Sequence, residues 1–285
     1  MKVNMLKLSD SLLPKDFRHI AQPPSQLFYR GSLDGFANRP RLAVVGSRRA
    51  SPYGMAVTTK LVSELARQGV VIVSGLALGI DSIAHKAALD SGGTTVAVLA
   101  CGVDRIYPAS HTALGNQILS NGGALISEYP EGTEPLPFQF IARNRIISGL
   151  SDAVLVTEAA EKSGSLHTAN FALDQGRTVL AVPGNINSPY SVGTNNLIKS
   201  GALTATNSKD ILLALGLDPE EPLPVAVAAN KEEALILNLL QKGITDSAQL
   251  MANSKLDAVT FNQTLTMLEI TGKIRPLGAG HWTNK

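Results

Sequence analysis

Residues Phe138–Thr168 read FQFIARNRIISGLSDAVLVTEAAEKSGSLHT, and the rest of the chain is read outward from them. The spacing predicts a helix over Phe140–Leu150 and a buried strand over Ala153–Val156. A turn, Lys162-Ser163-Gly164-Ser165, then delivers the chain to the next helix. On the first helix Phe140, Arg143, Asn144 and Ile147 fall at i, i+3, i+4 and i+7 on one face, and Arg145 points away. A ring, a guanidinium and an amide on one face suit an extended nucleic-acid strand, through base stacking and phosphate pairing. The competing reading makes the ring core and pairs the arginines with carboxylates such as Glu158. At Ser163, Gly164 and Ser165 the free N–H groups of a helix start favour an anion.

Outward from this stretch the chain alternates. Strand-like runs recur at Leu42–Val45, Val70–Val73, Thr95–Leu99, Ala124–Ile126, Val179–Val182 and Ala202–Ala205. Helix-period segments lie between them, at Met55–Gln68, Ile80–Ser91, Leu114–Ser120 and Leu166–Gln175. That order predicts an α/β fold with a doubly wound, mostly parallel sheet. Ligands of such sheets bind beyond the strand C-termini, so the loops that follow strands are the candidates.

The first such loop is Gly46-Ser47-Arg48-Arg49, followed by Ser51 as N-cap and Pro52 in the first turn. Two arginines before a helix N-terminus form a phosphate-binding arrangement, unless the loop is merely solvated. The second loop, SGLALGID, has Gly75 and Gly79 where backbone can approach a ligand. Its spacing is not GxGxxG and no acid ends the strand, which argues against a nicotinamide cofactor. Asp81 and His85 sit at i, i+4 with no third ligand. They read as a helix cap with the histidine bonded to it, and no metal is expected. After the sixth strand Pro183-Gly184 leads to GTNNLIK, where Asn195 and Lys199 share a helix face.

Composition bounds the rest. The chain has 285 residues, 44% hydrophobic and 17% charged, with a net charge of +2. Cys101 is the single cysteine, which rules out an intramolecular disulfide and fits a reducing cytoplasm. No apolar run reaches membrane-span length and no signal-peptide core is present. Residues 1–217 hold nineteen Lys/Arg against fifteen Asp/Glu, so attraction for polyanions is local to that part. Residues 1–40 read as a lead-in packed on a main domain at 41–217. The acidic, proline-bearing segment 218–224 reads as a linker. Residues 225–285 give three amphipathic helices (Glu233–Gln241, Asp246–Ala252, Leu256–Gly272) and a hairpin, a winged-helix pattern. Its third helix offers no Arg and, apart from its end, no Lys, which suits a protein contact or accessory role better than phosphate binding. A P-loop is absent, which argues against ATP-driven activity.

Taken together and in order, VGSRRASPYG, SGLALGIDSIAH, GVDRIYP, SEYPEG, the opening stretch, GRTVLAVPG and GTNNLIKSGA resemble the bacterial DNA-processing protein A (DprA/Smf) family, over roughly residues 14–215. The resemblance implies an extended Rossmann-like domain that binds single-stranded DNA and forms a homodimer. It implies protection of incoming DNA in natural transformation and help in loading the RecA recombinase, with no cofactor. The winged-helix tail fits many members, whereas the N-terminal helical domain of longer members is missing from this sequence. Matching positions are Gly46, Ser47, Arg48, Gly75, Gly79, Phe140 and Arg143. Ser163, Gly164, Ser165 and Lys199 match by loop position, and Arg49 and Asn144 join the DNA-binding set from the residue reading. The alternative is a nucleotide-hydrolysing, phosphoribohydrolase-like enzyme. The loops carrying Glu158 with SGS, and PGN with GT, are distantly similar to such sites, with Glu158 as the catalytic carboxylate.

Overall fold

Continuous apolar runs without polar alternation are satisfied only by a sheet covered on both faces, and that is the frame here. The computed structural model describes residues 2–218, 230–241, 244–271, 273–278 and 280–284. Two compact units divide the chain, Met1–Glu220 and Glu221–Lys285.

In the first unit the strands are β1 (Asn4–Leu6), β2 (Leu27–Gly31), β3 (Arg41–Gly46), β4 (Val71–Ser74), β5 (Thr95–Val98), β6 (Ala124–Ser127), β7 (Ala153–Glu158), β8 (Thr178–Ala181) and β9 (Leu203–Thr204). The helices are α1 (Pro52–Arg67), α2 (Ile80–Asp90), α3 (Thr112–Ser120), α4 (Pro137–Gly149), α5 (Ser165–Asp174), α6 (Val192–Lys199) and α7 (Ser208–Ala214). One sheet holds all nine strands in the order β1-β2-β6-β5-β4-β3-β7-β8-β9. It is parallel from β6 to β9, with Leu42 of β3 beside Ile72 on one side and Ala153 on the other. The Rossmann-like reading of the alternation is therefore correct.

The pleat sorts the core. Ala43, Val45, Val73, Val98, Val154 and Val156 face α4, α5 and the N-terminal segment. Leu42, Val44, Ile72, Leu155 and Leu180 face α1, α2 and α7. Ser51 caps α1 by accepting the Gly54 N–H at 3.1 Å, with Pro52 in the first turn, as the sequence leads one to expect.

The lead-in does more than pack. Phe17, Ile20, Leu27 and Phe36 enter the core, and β2 pairs antiparallel with β6, Tyr29 opposite Ile126. Strands of three and five residues are too short for alternation to announce them. Arg145 fastens this segment to α4: Nε donates to the Gln22 carbonyl at 2.8 Å, and the guanidinium forks onto Glu128 at 2.8 and 2.6 Å.

The second unit contains α8 (Lys231–Gln241), α9 (Ser247–Ser254), α10 (Ala258–Ile270) and a hairpin of β10 (Ile274–Gly278) with β11 (His281–Asn284). Ile236, Leu237, Leu250, Phe261, Leu268 and Ile274 form its core, and Lys273 bonds the buried Glu233 at 2.6 Å. The winged-helix pattern is present, and α10 carries neither Lys nor Arg. Of the linker at 218–224, all but Asp218 lies outside the described residues.

Candidate nucleic-acid interface

Strand order reverses between β3 and β7, and the crevice beyond such a reversal is where doubly wound sheets bind ligands. The loop leaving β3 sits there, interlocked with the loop leaving β4. Gly79 (φ +78°) lies so close to the Ser47 carbonyl that a Cβ would strike it. The Ile80 N–H donates to that same carbonyl at 3.1 Å. Only glycine combines that φ with that approach.

Gly75 is equally confined. A Cβ there would meet the Arg143 guanidinium at 2.6 Å. Arg143 Nη1 donates to the Gly75 carbonyl at 2.7 Å and also to the Val98 carbonyl. Burial pulls this guanidinium down to about 10, opposed by nearby Asp81, so it stays charged at neutral pH. Asp81 is itself pushed up by burial and held back by Arg143, and accepts the Gly75 N–H at 3.1 Å. His111 Nδ1 donates to the Leu76 carbonyl at 2.9 Å. The β4 loop is thus held from below by a buried cation and from the side by a carboxylate and an imidazole.

Above this floor the surface is cationic and aromatic. The Arg48 guanidinium carbon lies 5.5 Å from the centroid of the Phe140 ring. Tyr107, half exposed, packs against the same ring at 5.5 Å and 58°. Arg48 and Arg49 are both exposed, and Ser47 Oγ accepts the Arg49 N–H at 3.1 Å, which shapes the loop. Asn144 reaches the Gly164 carbonyl at 3.4 Å, linking α4 to the loop after β7. There Ser163 and Ser165 share a hydroxyl bond of 2.8 Å. An exposed guanidinium over a ring is a ready surface for a phosphate beside a stacked base.

Several expectations need correction. Arg143 does share the Phe140 side of α4, but its guanidinium is spent on carbonyls under Gly75 and does not reach the surface. Lys199 is the exposed last residue of α6. Among the described residues no recorded contact joins it to Arg48, Phe140 or Tyr107. The α1 N-terminus is not open to phosphate, because Glu158 fills it. Glu158 Oε2 accepts the Ser51 N–H at 2.8 Å and Oε1 accepts the Ser51 hydroxyl. Among the described residues Glu158 takes no arginine; the pairing arginine of α4 is Arg145, on Glu128. His85 bonds Thr95 Oγ1 at 2.7 Å, not Asp81, since β5 lies beside α2 and offers the nearer partner. Tyr107 was missed by residue reasoning, although an exposed aromatic before Pro108 in a strand-end loop was a usable signal.

Residues 4–216 match the DNA recombination-mediator protein A family, and residues 218–280 match the DprA winged helix domain. The chain belongs to the DNA recombination-mediator protein A family. Among curated DprA-family proteins it is 49% identical over 203 residues to Protein Smf of Escherichia coli K12, covering 70% of this chain and 54% of that protein. With the DNA processing protein DprA of Streptococcus pneumoniae it shares 44% over 211 residues, 74% of each. The solved S. pneumoniae DprA structure superposes with a TM-score of 0.69 at 42% identity, covering 75% of this chain and 74% of that one. The Helicobacter pylori DprA structure, described for its single-stranded DNA binding mode, gives 0.67 at 33% identity, covering 75% and 96%. Among the described residues no helix is long and apolar enough to cross a membrane.

Proposed function

We propose that this protein binds single-stranded DNA on the Arg48–Phe140 surface and acts as a recombination mediator without chemistry of its own. In this reading it works in the cytoplasm as a homodimer, protects incoming DNA during natural transformation and helps load the RecA recombinase. The observation that carries the reading is the exposed Arg48 guanidinium over the Phe140 ring, with Tyr107 against the same ring. Phosphate contacts fall to Arg48 and Arg49, Phe140 and Tyr107 meet bases, and Gly75 and Gly79 present backbone. Ser47, Ser163, Gly164, Ser165 and Asn144 border the path, and Arg143 acts by holding the Gly75 loop. Membership of the family, and the single-stranded DNA mode named for its H. pylori member, support it.

The competing hydrolase reading makes Glu158 catalytic. Both of its oxygens are committed to Ser51 at the α1 N-terminus, which suits a structural cap better than a mobile proton carrier.

Binding of single-stranded and duplex oligonucleotides of equal length, titrated with salt, tests the proposal. Two neutralised phosphates on a single strand give a log–log slope of about −1.4 per protomer, with single strands preferred. Equal affinity for duplex, or mononucleotide turnover that Glu158→Gln abolishes, would sink it.

A further inference from the structure

On the far side of the β3 exit loop from Phe140 lies a cleft of about 500 Å³, lined by Ser51, Tyr53, Glu158, Pro183, Asn185 and Ser191 among others. That size falls in the roughly 300–1,000 Å³ range of small-molecule sites. It also occupies the β3/β7 reversal, but the DNA-binding surface proposed above does not use it. Among the described residues no Lys or Arg lines it, and its wall includes Glu158, which is 2% exposed. A carboxylate accepts at about four lone-pair sites. Ser51 fills two of them, so a partner for the remainder must be a donor and must not be a phosphate.

The cleft is built rather than incidental. The Tyr53 hydroxyl donates to the Pro183 carbonyl at 2.8 Å, which holds a half-exposed ring at the rim. Asn195 clamps Gly184 from both sides, accepting its N–H at 3.2 Å and donating to its carbonyl at 3.0 Å. Gly184 has no room for a side chain because Ser191 packs against it. Gly54 is confined likewise, since a Cβ would sit 2.7 Å from Glu158 Oε2. A fixed aromatic platform beside a buried acceptor pair matches a flat base joined to a sugar that offers two adjacent hydroxyl donors.

We propose that this cleft is a separate binding site for a ribonucleoside, with the base against Tyr53 and Pro183 and the 2′,3′-diol donating to Glu158. No bond is made or broken there.

Isothermal titration calorimetry of the full-length protein with adenosine and 2′-deoxyadenosine tests it. Adenosine should bind saturably, and the deoxy compound about tenfold or more weaker, as the loss of a hydrogen bond to a charged group requires. Glu158→Gln and Tyr53→Ala should each abolish measurable adenosine binding while leaving single-stranded DNA affinity unchanged. Phe140→Ala should do the reverse. Tyr53 is half exposed, so its variant folds even if the Glu158 variant does not. No saturable binding of adenosine, equal binding of the two nucleosides, or binding lost with Phe140→Ala but kept with Tyr53→Ala would each overturn the proposal. None of these outcomes bears on the oligonucleotide result.

Discussion

A single loop, Ser47–Ser51, has opposite chemistry on its two sides. Toward Phe140 it shows the exposed Arg48 guanidinium against an aromatic surface. Toward β8 it shows a hydroxyl bonded to a buried carboxylate in a cleft with no cation. Five residues therefore separate a surface that attracts a polyanion from one that repels it. Arginines near a helix N-terminus do not by themselves make a phosphate site. What occupies that N-terminus decides, and here it is Glu158.

The largest effect is expected at the floor of the cationic side. Arg143→Ala leaves the Gly75 and Val98 carbonyls unpaired beside an uncompensated Asp81, and should cost about 3–5 kcal/mol of stability in urea denaturation. A loss under 1 kcal/mol would mean the buried guanidinium is not the support of the loop. Next in size, Phe140→Ala should weaken single-stranded DNA binding by about 1–3 kcal/mol with the salt slope unchanged, since stacking releases no counterions.

Acid acts on stability through His85. Burial, with His111 and Arg143 adding to it, lowers His85 to about 3, below the ordinary 6.5. The unfolded chain then binds more protons, so stability is complete above pH 6.5 and falls as pH drops toward 3. Between pH 7 and 5.5 the loss from this group should be about 1 kcal/mol, read as the difference between the protein and His85→Asn. Asp81, shifted upward, works in the opposite sense and is common to both. A smaller effect is expected from Arg48→Ala, which should make the single-strand salt slope shallower by about 0.7, measured by fluorescence anisotropy. Least of all, Lys199→Ala should leave affinity and slope where they were; a shallower slope would bring α6 into the interface.

Most of the fold was legible because the parallel strands are uniformly apolar and the turns between them are marked by glycine. The winged-helix unit was legible for the same reason, through helical periodicity and a glycine turn. The two N-terminal strands were not, being short and paired to a distant partner that only the tertiary fold supplies. Within the site, Phe140 and Arg48 could be placed by helix spacing and loop position. The fate of Arg143 could not, because periodicity places a residue on a face without saying which carbonyls wait beneath it. Nor could the Glu158–Ser51 contact be seen, since it joins residues more than a hundred positions apart.

Helix α4 carries a consequence of its own. About 100° separates successive residues around a helix, so Phe140 and Arg143 leave the axis on one side and Arg145 on the other. Each is moored to a different part of the molecule: the ring to Tyr107 and Arg48, one guanidinium beneath Gly75, the other to Glu128 and Gln22. A cylinder tethered on opposite sides cannot roll. The bearing of the Phe140 ring is therefore set in part by two buried guanidiniums, Arg143 and Arg145, that the ring itself does not touch.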